Sequence, residues 1–264
     1  MELPNSAEKL LGQAISALGR PDFEQLLFQW LSRCFAIDNT TMLAYFQSKV
    51  PEVLFTHAIE KSVHAQLDSH YVPAAYLLDP FHALHVEMKP AGLYRLKDIA
   101  PDQFQRNEYF AAYYQRTTLL DEMAYVANPA HGVSVHICLG RDTTSNQKFS
   151  ARDLQRAERI APIVCGLIEQ RWSELQSSGD YSDEEVVDRL IVSMKTEHDV
   201  GLTPRQAEIA LLILRGHSSV SIGLRLGISG QTVKVFRKQL YRKCRISSQA
   251  ELFSLLMPLL SAHA

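Results

Sequence analysis

Lys234, Lys238 and Arg242 recur at four-residue steps, with Gln231 and Val235 interleaved beside them. At 3.6 residues per turn these five side chains share one side of a helix, while Val233, Phe236, Leu240 and Cys244 share the other. The first side carries cations, an amide that both donates and accepts, and a small apolar tip. Such a set suits a helix laid in the major groove of a duplex, with cations on phosphates and polar tips on base edges. An ordinary solvated cationic face would use the same residues, so the neighbouring elements decide between the two.

Those elements have well-marked ends. Thr203 is a good N-cap, Pro204 fits the first helical position, and Gln206 sits where a capping-box partner belongs. Ile209, Leu212 and Ile213 follow at helical spacing, and Gly216 is placed to end the helix. A second helix runs through Val220, Ile222, Leu224 and Leu226. Gly227-Ile228-Ser229 makes a tight break, and Ser229 can cap a third helix over about 230–243. Ser248 and Glu251 form a further capping box, opening a last helix with Leu252, Leu255, Leu256 and Leu259 on its apolar edge.

Leu202-Thr203-Pro204-Arg205, Gly216-His217-Ser218, Leu226-Gly227-Ile228-Ser229 and Thr232-Val233-Lys234 stand in the order and spacing of a known pattern. This stretch, about a quarter of the chain, resembles the C-terminal DNA-binding domain of LuxR/GerE-type transcription regulators. The resemblance implies an all-α four-helix helix-turn-helix domain over 201–264, with Thr232-Val233-Lys234 opening its recognition helix. Lys234, Val235 and Lys238 match the family's base- and backbone-contacting positions, with Gln231 beside them. Arg237, Arg242, Lys243 and Arg205 would hold phosphates. Ser229 and Thr232 would order the helix start, where amides and the dipole favour a phosphate. The last helix would make a two-fold contact, although its apolar edge alone suits packing within its own domain. A homodimer would set two recognition helices about 34 Å apart on an inverted-repeat site in double-stranded DNA. The sequence departs from the pattern in places. Gln206 and Ser221 replace usual glutamates, Phe236 a common histidine and Cys244 a leucine. Gly223 replaces an alanine, weakening the middle helix by up to about 1 kcal/mol.

Charge separates the chain into two parts. From Leu202 onward nine Lys and Arg face two acids, whereas 18 basic and 27 acidic residues precede it. The basic part suits a polyanion and the acidic part avoids one. An apolar fraction of 46% supports a real core over one large or two modest domains. Cys34, Cys138, Cys165 and Cys244 are scattered and read as reduced thiols. Met1-Glu2-Leu3-Pro4 opens no secretory signal, and no apolar run nears the length of a membrane span, so a cytoplasmic protein is expected.

Residues 1–178 read as mixed α and β. Leu10, Ile15 and Leu18 mark a first helix, and Phe23 to Cys34 a second. Residues 40–46, 53–57, 119–127 and 133–139 read as strands, and 59–67 and 102–115 as helices. Ser150 caps a helix reaching about Leu175, which either packs on the sheet or forms part of a dimer seam. The layout suits a GAF/PAS-like α+β domain, an antiparallel sheet with flanking helices that senses an effector or dimerises. Asp79-Pro80-Phe81, Gly92-Leu93-Tyr94, Asn107-Glu108-Tyr109-Phe110, Tyr113-Tyr114 and Asp121-Glu122 resemble the N-terminal half of a subset of LuxR-type regulators. Over 179–200, a polar Ser177-Ser178-Gly179-Asp180 connection leads to a Ser182/Glu185 capping pair. A short amphipathic helix through Val187, Leu190, Ile191 and Met194 follows, either relaying a change or acting as a spacer.

Tyr109, Tyr113, Tyr114 and Asp121 could line a small-molecule pocket, or the tyrosines could form a core stripe. His82, His85 and Glu87 lack a third ligand at diagnostic spacing, so no metal is expected. With only Trp30 and Trp172, the chain lacks the tryptophan pattern of acyl-homoserine-lactone sensors. Neither a phosphoacceptor cluster, nor a phosphate loop, nor a nucleophile motif is present, so neither enzyme nor cofactor is expected. The expectation is therefore a two-domain DNA-binding regulator. Its rivals are a ligand-independent dimeric regulator and a small-molecule-binding protein with a vestigial DNA module.

Overall fold

The computed structural model describes residues 6–47, 49–177 and 183–261. In chain order come α1 (Ala7–Ser16), α2 (Phe23–Cys34), β1 (Asn39–Phe46), β2 (Glu52–Ala58), α3 (Pro80–Val86), β3 (Gly92–Arg95) and α4 (Leu96–Ile99). Next are α5 (Glu108–Ala112), β4 (Leu119–Ala130), β5 (Val133–Asp142), α6 (Ala151–Arg171) and α7 (Asp183–His198). The chain closes with α8 (Pro204–Leu214), α9 (Ser219–Leu226), α10 (Gly230–Cys244) and α11 (Gln249–Ser261). The expectations placed on Met1–Pro4, Ser178–Asp180 and Ser182 lie outside the described residues. Among the described residues no helix is long and apolar enough to cross a membrane.

Contacts gather the chain into two compact units that do not follow its linear order. One comprises Met1–Ala65, Glu87–Ile99 and Thr117–Asp180; the other comprises Gln66–Val86, Ala100–Arg116 and Tyr181–Ala264. The units thus depart from a division into 1–178, 179–200 and 201–264. The expected linker helix, α7, packs on α8 within the second unit, burying Val186, Val187, Leu190 and Met194.

The first unit is the expected α+β domain. Its five strands run β2-β1-β5-β4-β3, and every pairing is antiparallel. Period-two alternation puts Met42, Ala44, Tyr125, Val135 and Ile137 on the face that meets α2 and α6. There they enclose Trp30, Leu31, Val164 and Ile168. Ala157, Ala161 and Val164 of α6 belong to this core, so α6 packs on the sheet. A complete capping box between Ser150 and Asp153 starts that helix.

In the second unit the helix expected over 102–115 breaks into short turns and α5. Asn107 has an extended backbone (φ −90°, ψ 163°), and its Oδ1 accepts from Phe110 N at 2.7 Å. A helix cannot continue through a residue that serves as its N-cap.

Candidate nucleic-acid interface

The four C-terminal helices are set by local caps. Thr203 and Gln206 make both bonds of a capping box, each 3.2 Å, and Pro204 stands at the first helical position. Ser218 Oγ accepts from Ser221 N at 3.1 Å, and Ser229 Oγ accepts from Thr232 N at 3.0 Å. Gly227 ends α9 in the left-handed region (φ 65°), which turns the chain straight into α10. Gly223 lets that turn lie close over α9: a Cβ there would sit 2.7 Å from the Ile228 carbonyl oxygen.

The two sides expected of α10 are present. Val233 and Leu240 are fully buried, with Phe236 and Cys244 half-buried beside them. Gln231, Thr232, Lys234, Val235, Lys238 and Arg242 are exposed on the outer surface. Lys234, Arg237, Lys238 and Arg242 line a surface basin, together with Tyr241, Ile246 and Ser219 at the start of α9. Arg237 Nε donates to Tyr241 Oη at 3.1 Å, and its guanidinium stands 5.2 Å from that ring, which fixes the cation at the rim. Tyr241 was missed in the sequence; its place four residues after Arg237 is the signal that would find it.

Two expected phosphate-binding cations are engaged elsewhere. Lys243 Nζ donates to Gly201 O at 2.7 Å and to Gln206 Oε1 at 2.9 Å, tying the end of α10 to the start of α8. Arg205 pairs with Glu208 at 2.9 Å, three residues on along the helix surface. The cationic surface is thus centred on α10, from Lys234 to Arg242.

The tyrosines named in the sequence also come together in the second unit. Tyr109 and Tyr113 stack with centroids 5.8 Å apart, and Tyr114 meets Tyr109 edge-on at 5.8 Å. The carboxylate among them is Asp79 rather than Asp121. Asp79 accepts from Tyr71 Oη at 2.7 Å, Phe81 N at 2.8 Å and Tyr114 Oη at 3.5 Å. Burial nevertheless pushes its pKa up to about 6. Asp121 belongs to the sheet unit, where it accepts from Glu122 N and Phe149 N. The rings of His82 and His85 lie 5.9 Å apart, and among the described residues no group of three or more His, Cys, Asp or Glu is placed to hold a metal.

Residues 200–256 match the family model of bacterial regulatory proteins, luxR family. Over 184 residues the chain is 30% identical to a protein described as an HTH-type transcriptional regulator in the exeN 3′ region of Aeromonas salmonicida. That match spans 68% of this chain and 93% of the relative. The chain belongs to the LuxR family. This LuxR-family protein is a DNA-binding transcriptional regulator, and its helix-turn-helix lies where the family model matches. Its fold is also similar to the VqsR LBD domain from Pseudomonas aeruginosa, with 25% identity and a TM-score of 0.55 over 65% of this chain and 99% of that one. A looser likeness, TM-score 0.41 at 14% identity, relates 95% of the regulator to 97% of SdiA from Escherichia coli.

Proposed function

We propose that this regulator reads an operator through Lys234, Val235 and Lys238, as a homodimer on an inverted repeat. Arg237 and Arg242 hold flanking phosphates, and Ser229 and Thr232 present the positive end of α10 to a further one. The observation that carries this reading is the exposed Lys234–Val235–Lys238 surface directly opposite the buried Val233 and Leu240. Lys243 contributes by fastening α10 to the start of α8, and Arg205 by pairing with Glu208 within α8, rather than by touching phosphate. The N-terminal residues sense an effector or mediate assembly. A regulator that needs no ligand is favoured by one feature, since the chain's own hydroxyls and amide already occupy the Asp79 carboxylate.

Genome-wide mapping of bound DNA supplies the operator. On it, Lys234→Ala is expected to cost about 1–3 kcal/mol, and much less on duplex of random sequence. Equal losses on both would reduce Lys234 to a phosphate contact. Affinity should also fall steeply with salt, by about 0.9 log units per log unit of salt for each phosphate neutralised. A flat salt response would overturn the electrostatic part.

A further inference from the structure

A complete capping box needs two reciprocal bonds: the N-cap side chain accepts from the third helical amide, and the third residue's side chain accepts from the N-cap amide. Thr203 and Gln206 make both at α8, and Ser150 and Asp153 make both at α6. At α9 the first bond is present, from Ser221 N to Ser218 Oγ. The third residue is Ser221, too short to reach back, and its hydroxyl instead meets His217 Nδ1 at 2.8 Å. The Ser218 amide donates to Asp102 Oδ1 at 2.9 Å, from 116 residues away in the sequence.

Asp102 arrives there on a segment held by several contacts within the same compact unit. Gln103 N donates to Gly216 O at 2.9 Å, and Asn107 Nδ2 donates to Leu214 O at 3.1 Å. Gly216 makes room for it: a Cβ at that position would fall 2.7 Å from Asn107 Nδ2 and 2.9 Å from Phe104 Cα. Burial acts to raise the Asp102 pKa, but the bonds from Ser218 and the charge of nearby His217 bring it below the usual carboxylate value. Asp102 is therefore ionised at neutral pH, the form that best complements the positive end of a helix.

We propose that Asp102 is a positioning residue for DNA binding, completing the capping box of α9 from outside the helix. The first helix of the helix-turn-helix is then fully formed at its N-terminus only while the 100–116 segment is seated on it. Ser219, the first residue of α9, borders the cationic basin of α10, so order at this end is order at the duplex-facing surface. A displacement of residues 100–116 is in this way felt by the DNA-binding helices without any contact between that segment and DNA. The inference deepens the reading of α10 as the groove-binding helix and rests on it.

The test uses the full chain and two substitutions. Asp102→Ala removes the distant carboxylate; adding Ser221→Glu supplies one locally, at the third position of α9. On a 30-base-pair duplex of random sequence at fixed salt, Asp102→Ala should bind about three- to tenfold more weakly, the scale of a lost cap. Its salt slope should match the wild type, because no phosphate contact is removed. The double variant should recover wild-type affinity. Amide hydrogen exchange over 216–222, followed without DNA, should quicken in Asp102→Ala and slow again in the double variant. Unchanged affinity in Asp102→Ala, or no recovery on adding Ser221→Glu, would overturn the proposal. Wild-type chain that binds no duplex would instead overturn the DNA reading, while the exchange measurement still reports on the cap.

Discussion

Asp79 shows how a single carboxylate can be held between two opposing demands. Tyr71, Phe81 and Tyr114 supply donors that favour its charged form, yet enclosure raises its pKa from 3.8 to about 6. Folding therefore favours the protonated acid. Below about pH 4 the group is protonated in both states and costs nothing. As pH rises towards 6 the unfolded chain ionises first, so stability falls through that interval and levels off above it. A shift of this size corresponds to roughly 3 kcal/mol. Thermal melts between pH 4 and 7 should thus show a decline for the wild type that is smaller in Asp79→Asn. Parallel profiles for the two proteins would show that Asp79 has no such pKa. The residue also has neighbours that matter for DNA. Tyr109 and Tyr114 flank it from the segment that contains Asn107, whose amide group caps α5 with its oxygen and holds Leu214 O with its nitrogen.

At the scale of elements, the turn between α9 and α10 is governed by Gly223. Helix propensity alone makes glycine there a weakness, and alanine would gain up to about 1 kcal/mol. The packed structure reverses that sign, since an added Cβ would lie 2.7 Å from Ile228 O and 3.1 Å from Gly230 N, both backbone atoms. Gly223→Ala should therefore lower stability, by about 1–3 kcal/mol as for other overpacked sites, in urea unfolding of the full chain. A more stable variant would mean that the turn can give way freely. This region also marks the limit of what the sequence discloses. Thr203, Ser218 and Ser229 cap their helices through bonds spanning three residues, and the strands of the sheet alternate at period two, so both were legible. Asp102, Asn107 and Arg215 act on partners 107 to 138 residues away, and no local pattern records such bonds. The helix expected over 102–115 failed for the same reason, because Asn107 is committed to capping and to Leu214.

The whole molecule carries a basic C-terminal quarter on an acidic remainder, but its compact units cut across that boundary. The reason lies in α8. Residues 209–214 are buried without interruption, so no side of that stretch of α8 faces water. Helix α7 packs on α8, and the segments 66–86 and 100–116 reach its C-terminal end through Leu77, Gln103 and Asn107, all in the same unit. Arg215, only 8% exposed, reinforces the point. Its guanidinium donates to Leu77 O at 3.0 Å and makes a bidentate pair with Asp183 at 2.6 and 2.7 Å. Both partners lie outside 201–264. Cutting the chain before Gly201 should thus expose apolar surface on α8 and take Leu77 and Asp183 away from Arg215. Such a fragment should melt at least about 10 °C below the full chain, or without a sharp transition, when followed by circular dichroism. A fragment beginning at Asp183 restores α7 and the ion pair and should fall between the two. Equal melting of the short fragment and the full chain would show that the DNA-binding helices stand alone. Failure of the short fragment to bind DNA would therefore report on its folding before it reported on the groove-facing residues of α10.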